Sequence, residues 1–427
     1  MEGVPEGIYA WNIEHRFGTV RQTDFDTVPH LFPREALTDG KTGRYNFTGN
    51  LGAPRISRFF IDEAPTSFHG QFIFGNPFSY FLKDTEEVVF TNTKSPFTNL
   101  TYHECGNKQH GEDHFTANFA VNAGKKTGFG FRIDYLYGRG YYDSQATSQF
   151  NGMLFGSHLG ERYQLHAYYS ANHLKIAENG GIENDAYETM PESFPTNYSE
   201  ADMPTSLTKT WNKINVNTFY LSHSYNLGFT RFCDKGGNIV REERNKIADK
   251  LSHNDTLQTA ATTRQDTLKL TPEFVPVSRL THTFRLAHNN RRFQSNAPSA
   301  TGEGYFRDYY WKADTASDYT KYLHLENTLA IELREGFNKW MKTGIRLFAK
   351  HEFYKFTLPS FQDGMLGDEK YTENYVYLGA QLLKASGRTF HYSVLGELRT
   401  SGDRFGEFNV EADASLQLPM LRDTVRL

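Results

Sequence analysis

Apolar and polar residues alternate with a period of two over long stretches of this chain. Residues 115–123 carry apolar side chains at every odd position and mostly polar side chains at the even ones. Residues 129–137 and 408–418 show the same alternation. Because successive side chains of a β-strand point to opposite faces, the pattern predicts strands with one apolar face and one polar face.

The same reading predicts about twelve strands, many of them ten residues or longer, whereas strands of soluble sheets usually have five or six residues. The further strands are predicted at 97–105, 147–155, 162–174, 216–227, 279–289, 322–333, 343–355, 374–383 and 389–400. One amphipathic helix is predicted, at 241–251, inside a charged connection.

The connections between these strands fall into two classes when the chain is followed as an up-and-down meander. Those at one end are short, at 124–128, 156–161, 334–342 and 384–388. Those at the other end are mostly longer and polar, at 106–114, 138–146, 175–215, 290–321 and 356–373. Transmembrane β-barrels have short periplasmic turns and longer extracellular loops. Residues 228–278 break the rule, because they are long and charged on the short-turn side.

Composition narrows the class of protein. Aromatic residues make up 15% of the 427 residues and the net charge is −4, while the mean hydropathy is only −0.62. No stretch approaches the roughly 18 apolar residues of a spanning helix, and the charge balance lacks the positive excess of nucleic-acid binders. A barrel with lipid outside and water inside combines low hydropathy with many aromatic residues. The alternative is a soluble β-sandwich or a solenoid with an aromatic core.

Aromatic girdles are expected where the strands leave the bilayer. The tyrosines that the pattern places near strand ends are Tyr135, Tyr137, Tyr141, Tyr142, Tyr163, Tyr168, Tyr169, Tyr309, Tyr310, Tyr375 and Tyr377.

The alternation also assigns side chains to the two faces of the predicted barrel. The predicted lipid-facing residues are Phe129, Phe131, Ile133, Tyr135, Phe408, Val410 and Leu416. The predicted lumen-lining residues are Arg132, Asp134, Glu326, Glu332, Arg346, Lys350, Glu397, Arg399, Glu407, Glu411 and Asp413. In an open pore such charges bias which ions pass; in a plugged lumen they pair with one another. The sequence leaves both readings open.

The chain divides into an N-terminal segment, residues 1–95, and barrel strands, residues 96–427. The first part alternates poorly and is expected inside the lumen, beneath the barrel in the periplasm, or as leading strands at 59–61 and 71–74. No signal peptide is visible at the start, so we expect the chain to begin after a processing site or within a longer product.

Catalytic and metal-binding motifs are weak. His110 and His114, with His103 nearby, form the densest group of possible metal ligands, but they lie in a predicted glycine-containing hairpin loop. A solvated loop explains them without a metal. The two cysteines, Cys105 and Cys233, are too few for a disulfide framework. We therefore expect no catalytic residues, no metal site and no cofactor.

Six motifs follow one another over the first half of the chain, at 49–54 with Arg58, 92–102, 134–142, 150–152, 179–182 and 224–229. Together they resemble the "putative porin" family of Bacteroidota-type outer membranes. The resemblance implies an outer-membrane β-barrel and passive diffusion of small solutes, and it supplies no functional residues to transfer. Family members look longer than this chain, which implies further C-terminal strands and a closed barrel of around 14.

The sequence therefore predicts an all-β, transmembrane, antiparallel up-and-down β-barrel with long extracellular loops, located in the bacterial outer membrane. Its predicted function is that of a porin, which lets small polar solutes diffuse passively through a hydrated lumen. The alternative is a non-conducting barrel that serves as a structural or accessory subunit; an enzyme ranks third. The expected partners are outer-membrane lipid, small polar solutes, and outer-membrane proteins or further copies of the chain, without nucleic acid.

Overall fold

The computed structural model describes most of the chain. The described residues are 8–23, 45–46, 48–59, 71–107, 110–233, 239–243, 271–298, 316–338, 340–362, 365–387, 389–420 and 423–426.

The described residues before β6 form short strands and 3₁₀ helices that are separate from the main sheet. β1 (Ile8–Ile13) lies between β2 (Val20–Thr23) and β5 (Phe90–Thr93) in an antiparallel three-stranded sheet, and β3 (Tyr45–Asn46) pairs with β4 (Ile56–Ser57). Two 3₁₀ helices, Ile73–Phe78 and Thr85–Glu87, precede β5. None of these strands joins the main sheet described next.

The main sheet is an antiparallel meander in which consecutive strands are neighbours. Its long strands are β6 (Phe97–Cys105), β7 (Glu112–Asn122), β8 (Thr127–Arg139), β9 (Ala146–Leu159), β10 (Tyr163–Ala177), β11 (Leu207–Cys233), β13 (Thr271–Pro298), β14 (Ala316–Leu333), β15 (Gly344–Gln362), β16 (Met365–Lys384), β17 (Phe390–Arg399) and β18 (Phe408–Met420). β12 (Ile239–Glu243) pairs with the end of β11, and β19 (Asp423–Arg426) pairs with β18. Every one of the twelve predicted strands corresponds to one of these long strands, so the all-β, up-and-down prediction is confirmed.

The strands are longer than the alternation predicted. β11 and β13 pair from Leu207↔Pro298 to Cys233↔Thr271, and a spanning strand needs only about 9–11 residues. β15 and β16 are joined across residues 363–364, so the long loop predicted at 356–373 is wrong. Residues 367–372 of β16 are exposed at every position although they are paired, and a strand that meets water on both faces needs no hydrophobic alternation.

Other predicted connections change in the same way. The 228–278 insertion begins and ends as continuations of β11 and β13, with β12 between them. Residues 241–243 of the predicted helix belong to β12, and 244–251 lie outside the described residues. The leading strand predicted at 71–74 is also wrong, because residues 73–78 form a 3₁₀ helix. At the other predicted leading strand, Phe59 lies in a bend and residues 60–61 lie outside the description.

The connection between β10 and β11 is a folded loop at 178–206. It contains the short helix Ala186–Thr189 and two 3₁₀ turns, and its aromatic rings pack on one another, with Tyr187 and Phe194 4.4 Å apart between centroids. Elsewhere, within the described part of the chain, no helix is long and apolar enough to span a bilayer.

The two faces of the main sheet differ sharply in exposure. Along Ile345 to Lys350 of β15, odd positions are exposed and even positions are buried. The buried face is shielded by the N-terminal residues, which contact strands from β7 to β18. Because strands so far apart in the sheet share these partners, the sheet curves around the N-terminal residues. In the described residues β6 pairs only with β7, so the sheet is open at that edge.

Candidate functional site

The inner face of the curved sheet and the segment packed against it form the candidate site. We call residues 8–23, 45–46, 48–59 and 71–93 the N-terminal segment. Its largest apolar contact joins Trp11, Ile13, Val88 and Phe90 to side chains of β7 and β9–β11. The wall side chains of this cluster are Ala120, Met153, Phe155, Tyr168 and Tyr220.

Two further apolar clusters attach the N-terminal segment at other points of the wall. The 3₁₀ helix around Phe72 and Phe78, with Leu82, packs on β10, β11 and Tyr322 of β14. Phe17 packs on β14, β15 and β17, with its ring 5.2 Å from the ring of Phe348. The contacts therefore follow the wall across most of the sheet.

Hydrogen bonds add direction to this packing. Trp11 Nε1 donates to His166 Nε2 at 3.0 Å, and the Tyr220 hydroxyl donates to the backbone oxygen of His15 at 2.9 Å. The Arg132 guanidinium donates to the backbone oxygen of Val89. His166, Tyr220 and Arg132 of the wall thus find hydrogen-bond partners in the N-terminal segment, as is usual for buried polar groups.

The tight turn after Phe17 fits closely against β11. Gly18 has a positive φ of +63°, and a Cβ there would lie 2.1 Å from the Ser222 hydroxyl. Glycine is the residue that adopts this backbone conformation at low cost. Both the turn and the close approach therefore require glycine at this position.

The predicted lumen-lining residues lie on the inner side of the sheet. Glu326, Glu332, Arg346 and Lys350 are buried there on β14 and β15. Arg132 and Asp134 line a cavity of about 200 Å³ beside the N-terminal segment. The other five lie on or next to β17 and β18: Glu397, Arg399, Glu407, Glu411 and Asp413. Their role as pore-lining residues remains a prediction.

Several of these charges form ion pairs on the inner face. Arg346 contacts Glu332 at 2.6 Å, with both side chains only 7% exposed, and its guanidinium lies 4.2 Å from the centre of the Phe17 ring. Lys350 of β15 lies 3.5 Å from Glu397 of β17, and Glu397 also lies 3.8 Å from Arg16 of the N-terminal segment.

Two further ion pairs lie at β17 and β18, near the edge of the sheet opposite to β6. Arg16 lies 3.4 Å from Glu411, and Arg399 lies 3.0 Å from Glu407. The carboxylates at this edge are about half exposed, at 52% for Glu411 and 50% for Glu407. They therefore keep access to water, unlike the buried pairs.

Sequence reasoning missed inner residues that follow the same parity. His324 and Glu352 lie on the buried face of β14 and β15, two positions from residues that were predicted. Alternation alone was sufficient to find them. Arg16 and the other N-terminal partners carry no such signal, because they lie outside any alternating run.

A second cavity, of about 600 Å³, lies between the N-terminal segment and strands β15–β18. Its wall includes His15, Arg16, Glu411, Asp413 and Lys384. It is therefore a space lined by ionisable side chains.

His15, Glu86 and Arg21 form a charged contact beside this cavity, which we call the latch. His15 Nδ1 lies 3.0 Å from the Glu86 carboxylate, and Arg21 lies 3.7 Å from the same side chain. Burial by itself would lower the pKa of His15, but the Glu86 hydrogen bond and the Glu14 charge outweigh it and raise that pKa. The hydrogen bond from His15 lowers the pKa of Glu86.

The predicted lipid-facing residues lie on the outer side. Phe408 is 78% exposed and Phe129 50%; the others are also exposed or partly exposed: Phe131, Ile133, Tyr135, Val410 and Leu416. Two predicted girdle tyrosines are wrong, because Tyr168 and Tyr377 are buried on the inner face. Tyr309 and Tyr310 lie outside the described residues.

His110 lies in the turn before β7, whereas His114 lies on β7, so the predicted hairpin loop is wrong for His114. His103 lies opposite His114 on β6, with the two ring centroids 6.4 Å apart. His114 Nε2 lies 3.1 Å from Asp134, and His110 Nδ1 contacts the backbone oxygen of Gly140. Two other groups in the described residues bring three possible metal ligands together: Glu14, His15 and Glu86; and His324, Glu326 and Glu352. Cys105 and Cys233 are free thiols.

Among solved structures, this chain is similar to a siderophore receptor, a ferric-catecholate import receptor and a ferric enterobactin receptor. With the siderophore receptor PirA of Acinetobacter baumannii it shares 11% identity, covering 80% of this chain and 44% of that one, with a TM-score of 0.40. With the ferric-catecholate import receptor Fiu of E. coli K12 it shares 10% identity, covering 79% of this chain and 54% of that one, with a TM-score of 0.41. With a mutant of the ferric enterobactin receptor PfeA of Pseudomonas aeruginosa it shares 9% identity, covering 97% of this chain and 51% of that one, with a TM-score of 0.43. The chain spans about half the length of these receptors.

A search of curated proteins gave no match. The model of one family, described as "Putative porin", matches residues 7–427, nearly the whole chain. The chain therefore belongs to the "Putative porin" family, and it is an outer-membrane β-barrel protein of Gram-negative bacteria.

Proposed function

We propose that this protein is a narrow outer-membrane channel through which small polar solutes diffuse passively. A hydrated passage lowers the cost of moving a polar solute across hydrocarbon, where an unpaired polar group costs several kcal/mol, on the order of 2–7. The proposal involves no catalytic step and no cofactor.

The observation that carries the proposal is the polar cavity of about 600 Å³ between the N-terminal segment and β15–β18. Half-exposed carboxylates border it, and Arg16 faces them from the opposite side. Charged groups on both sides of a wet space favour the passage of ions and polar solutes over apolar ones.

The packed N-terminal segment restricts this passage. It packs apolar side chains on β7 and β9–β11 and at single points of β14, β15 and β17, so the proposed route follows the cavity beside β15–β18. We expect conductance below that of an unobstructed barrel of the same strand number.

The test is planar-bilayer recording with the purified full chain. Stable open currents that scale with bulk salt conductivity are expected from the native protein. Trp11→Ala is expected to increase the conductance, because truncating a buried aromatic side chain costs about 3–5 kcal/mol and loosens the segment. Tyr9→Ala is the matched control, since Tyr9 lies on the same strand and is 63% exposed; native currents are expected from it.

A second candidate function follows from the same apolar clusters. If the N-terminal segment closes the passage fully, the protein is a non-conducting subunit of an outer-membrane assembly. Electrical silence of folded native protein, with partner proteins that co-purify reproducibly, would favour this candidate and contradict the channel.

A further inference from the structure

Three possible metal ligands meet on the inner face of the barrel wall. His324 and Glu326 lie on β14, and Glu352 lies directly opposite Glu326 on β15. A ring nitrogen of His324 and one oxygen of each carboxylate all lie within 4.8 Å of one another. The three residues are only 6%, 8% and 9% exposed.

The arrangement holds more negative charge than its close partners neutralise. Like charges directly opposite each other across two strands are destabilising. Lys350 lies 3.2 Å from Glu352 but is shared with Glu397. In the described part of the chain, Glu326 has no hydrogen bond and no ion pair at contact distance. Its cross-strand neighbour Arg285 lies 3.9 Å from Asp84 and interacts with Glu326 only through its charge at longer range.

His324 provides a second, independent observation. Its Nε2 atom is buried and has no hydrogen-bond partner among the described residues. An unsatisfied buried polar atom costs about 1–3 kcal/mol, so a native structure usually pairs it. The ring is also held in one plane, because it stacks on Tyr354 with centroids 4.3 Å apart and planes 3° from parallel.

We propose that His324, Glu326 and Glu352 bind one divalent transition-metal ion, with Zn²⁺ as the reference ion. One imidazole nitrogen and two carboxylate oxygens are a ligand set that zinc accepts, at about 2.0–2.2 Å. The ion neutralises the facing carboxylates and uses the unpartnered nitrogen. Lys350 remains paired with Glu397 when Glu352 turns to the metal.

The other three-ligand group, Glu14, His15 and Glu86, differs because its histidine already has a hydrogen-bond partner. His15 is already hydrogen-bonded to Glu86, and Arg21 neutralises that carboxylate. No unsatisfied nitrogen and no excess of negative charge call for a cation there. The inference is therefore confined to the β14–β15 site, and it is independent of whether the protein conducts.

The test is isothermal titration of the chelator-treated full chain with ZnCl₂. Saturable binding by the native protein is expected. His324→Ala and the conservative Glu326→Gln are each expected to weaken it by more than about tenfold, because loss of even an outer-shell partner of a metal ligand costs about 10–100-fold. His351→Ala is the matched control: His351 lies on β15 but on the outer face, where it contacts Asn374, and native affinity is expected.

Absence of saturable binding, or native affinity in His324→Ala, would overturn the proposal. Loss of binding in His15→Ala together with its retention in His324→Ala would overturn it as well. X-ray absorption at the zinc edge of the native protein tests the site without any variant. A first shell with one imidazole and oxygen ligands is expected, and a shell with thiolate or several imidazoles contradicts it.

Discussion

The pair formed by Glu332 and Arg346 is the most enclosed charge contact in the described wall. Both side chains are 7% exposed, and the guanidinium is held by Gln381 on one side and by the ring of Phe17 on the other. Removing one partner of such a pair leaves a buried charge without compensation, which costs more than the pair itself contributes.

Glu332→Gln is therefore expected to destabilise the protein by about 3–5 kcal/mol. The measurement is the urea midpoint of the barrel in lipid vesicles, followed by the electrophoretic shift between folded and unfolded forms. Glu104→Gln removes an exposed carboxylate from the end of β6 and is expected to leave the midpoint unchanged. Equal midpoints for both variants would contradict the structural role of the buried pair.

Glu407 and Glu411, the half-exposed carboxylates near β18, are expected to influence which ions pass. Glu407→Gln combined with Glu411→Gln leaves Arg399 and Arg16 without these counter-charges. The reversal potential under a salt gradient is therefore expected to shift toward anion preference. The paired control, Glu104→Gln with Glu369→Gln, also removes two exposed carboxylates. A reversal potential equal to that of the native protein would count against ion selection by Glu407 and Glu411.

At the scale of elements, the sequence predicts the membrane-facing core of each strand but not its ends. The predicted strand at 97–105 coincides with β6, whereas the one at 216–227 is less than half of β11 (Leu207–Cys233). Alternation arises where one face meets lipid and the other does not. Where both faces meet water, pairing is maintained by backbone hydrogen bonds, which leave no hydrophobic signal.

The N-terminal segment was unpredictable for a different reason. Its contacts join residues far apart in the chain, as Trp11 and His166 are, and no local pattern encodes such a pair. The metal-ligand group of β14 and β15 was predictable in part. The parity of His324 and Glu352 was visible in the sequence, but their meeting depends on the register of two strands.

The latch between His15 and Glu86 is expected to make docking of the turn at residues 14–19 pH-dependent. A histidine whose folded pKa is raised stabilises the folded form below its unfolded value of about 6.5 and loses that contribution as pH rises through the raised pKa. Glu86, with a lowered pKa, contributes above its usual value of 4.5 and loses the contribution as pH falls through the lowered one. The docked turn is therefore most stable between these two usual values.

The Gly18 amide donates a hydrogen bond to the backbone oxygen of Glu14. Its protection from hydrogen exchange measures this docking. After correction for intrinsic exchange, protection is expected to fall as pH rises from about 6 to 8.5. His15→Asn is expected to remove the pH dependence while keeping a polar side chain. The same slope in the native protein and the variant would exclude His15 as its source.

At the scale of the whole molecule, one rule explains both the sequence and the structure. Side chains of one parity face outward and are apolar, as Phe408 and Val410 are, and those of the other parity face inward and include the charges. A closed barrel is the form in which an antiparallel sheet satisfies its backbone inside a bilayer. The low hydropathy of the chain follows, because only half of each strand has to be apolar.

Site-directed spin labelling along β18 tests this rule most directly. Labels are placed singly from position 408 to position 413, where both faces have room, with Cys105 and Cys233 replaced by serine. In vesicles, the labels at 408, 410 and 412 are predicted to collide mainly with oxygen dissolved in lipid, and those at 409, 411 and 413 mainly with a water-soluble nickel complex. Collision profiles without a two-residue period, or with the opposite phase, would contradict the account.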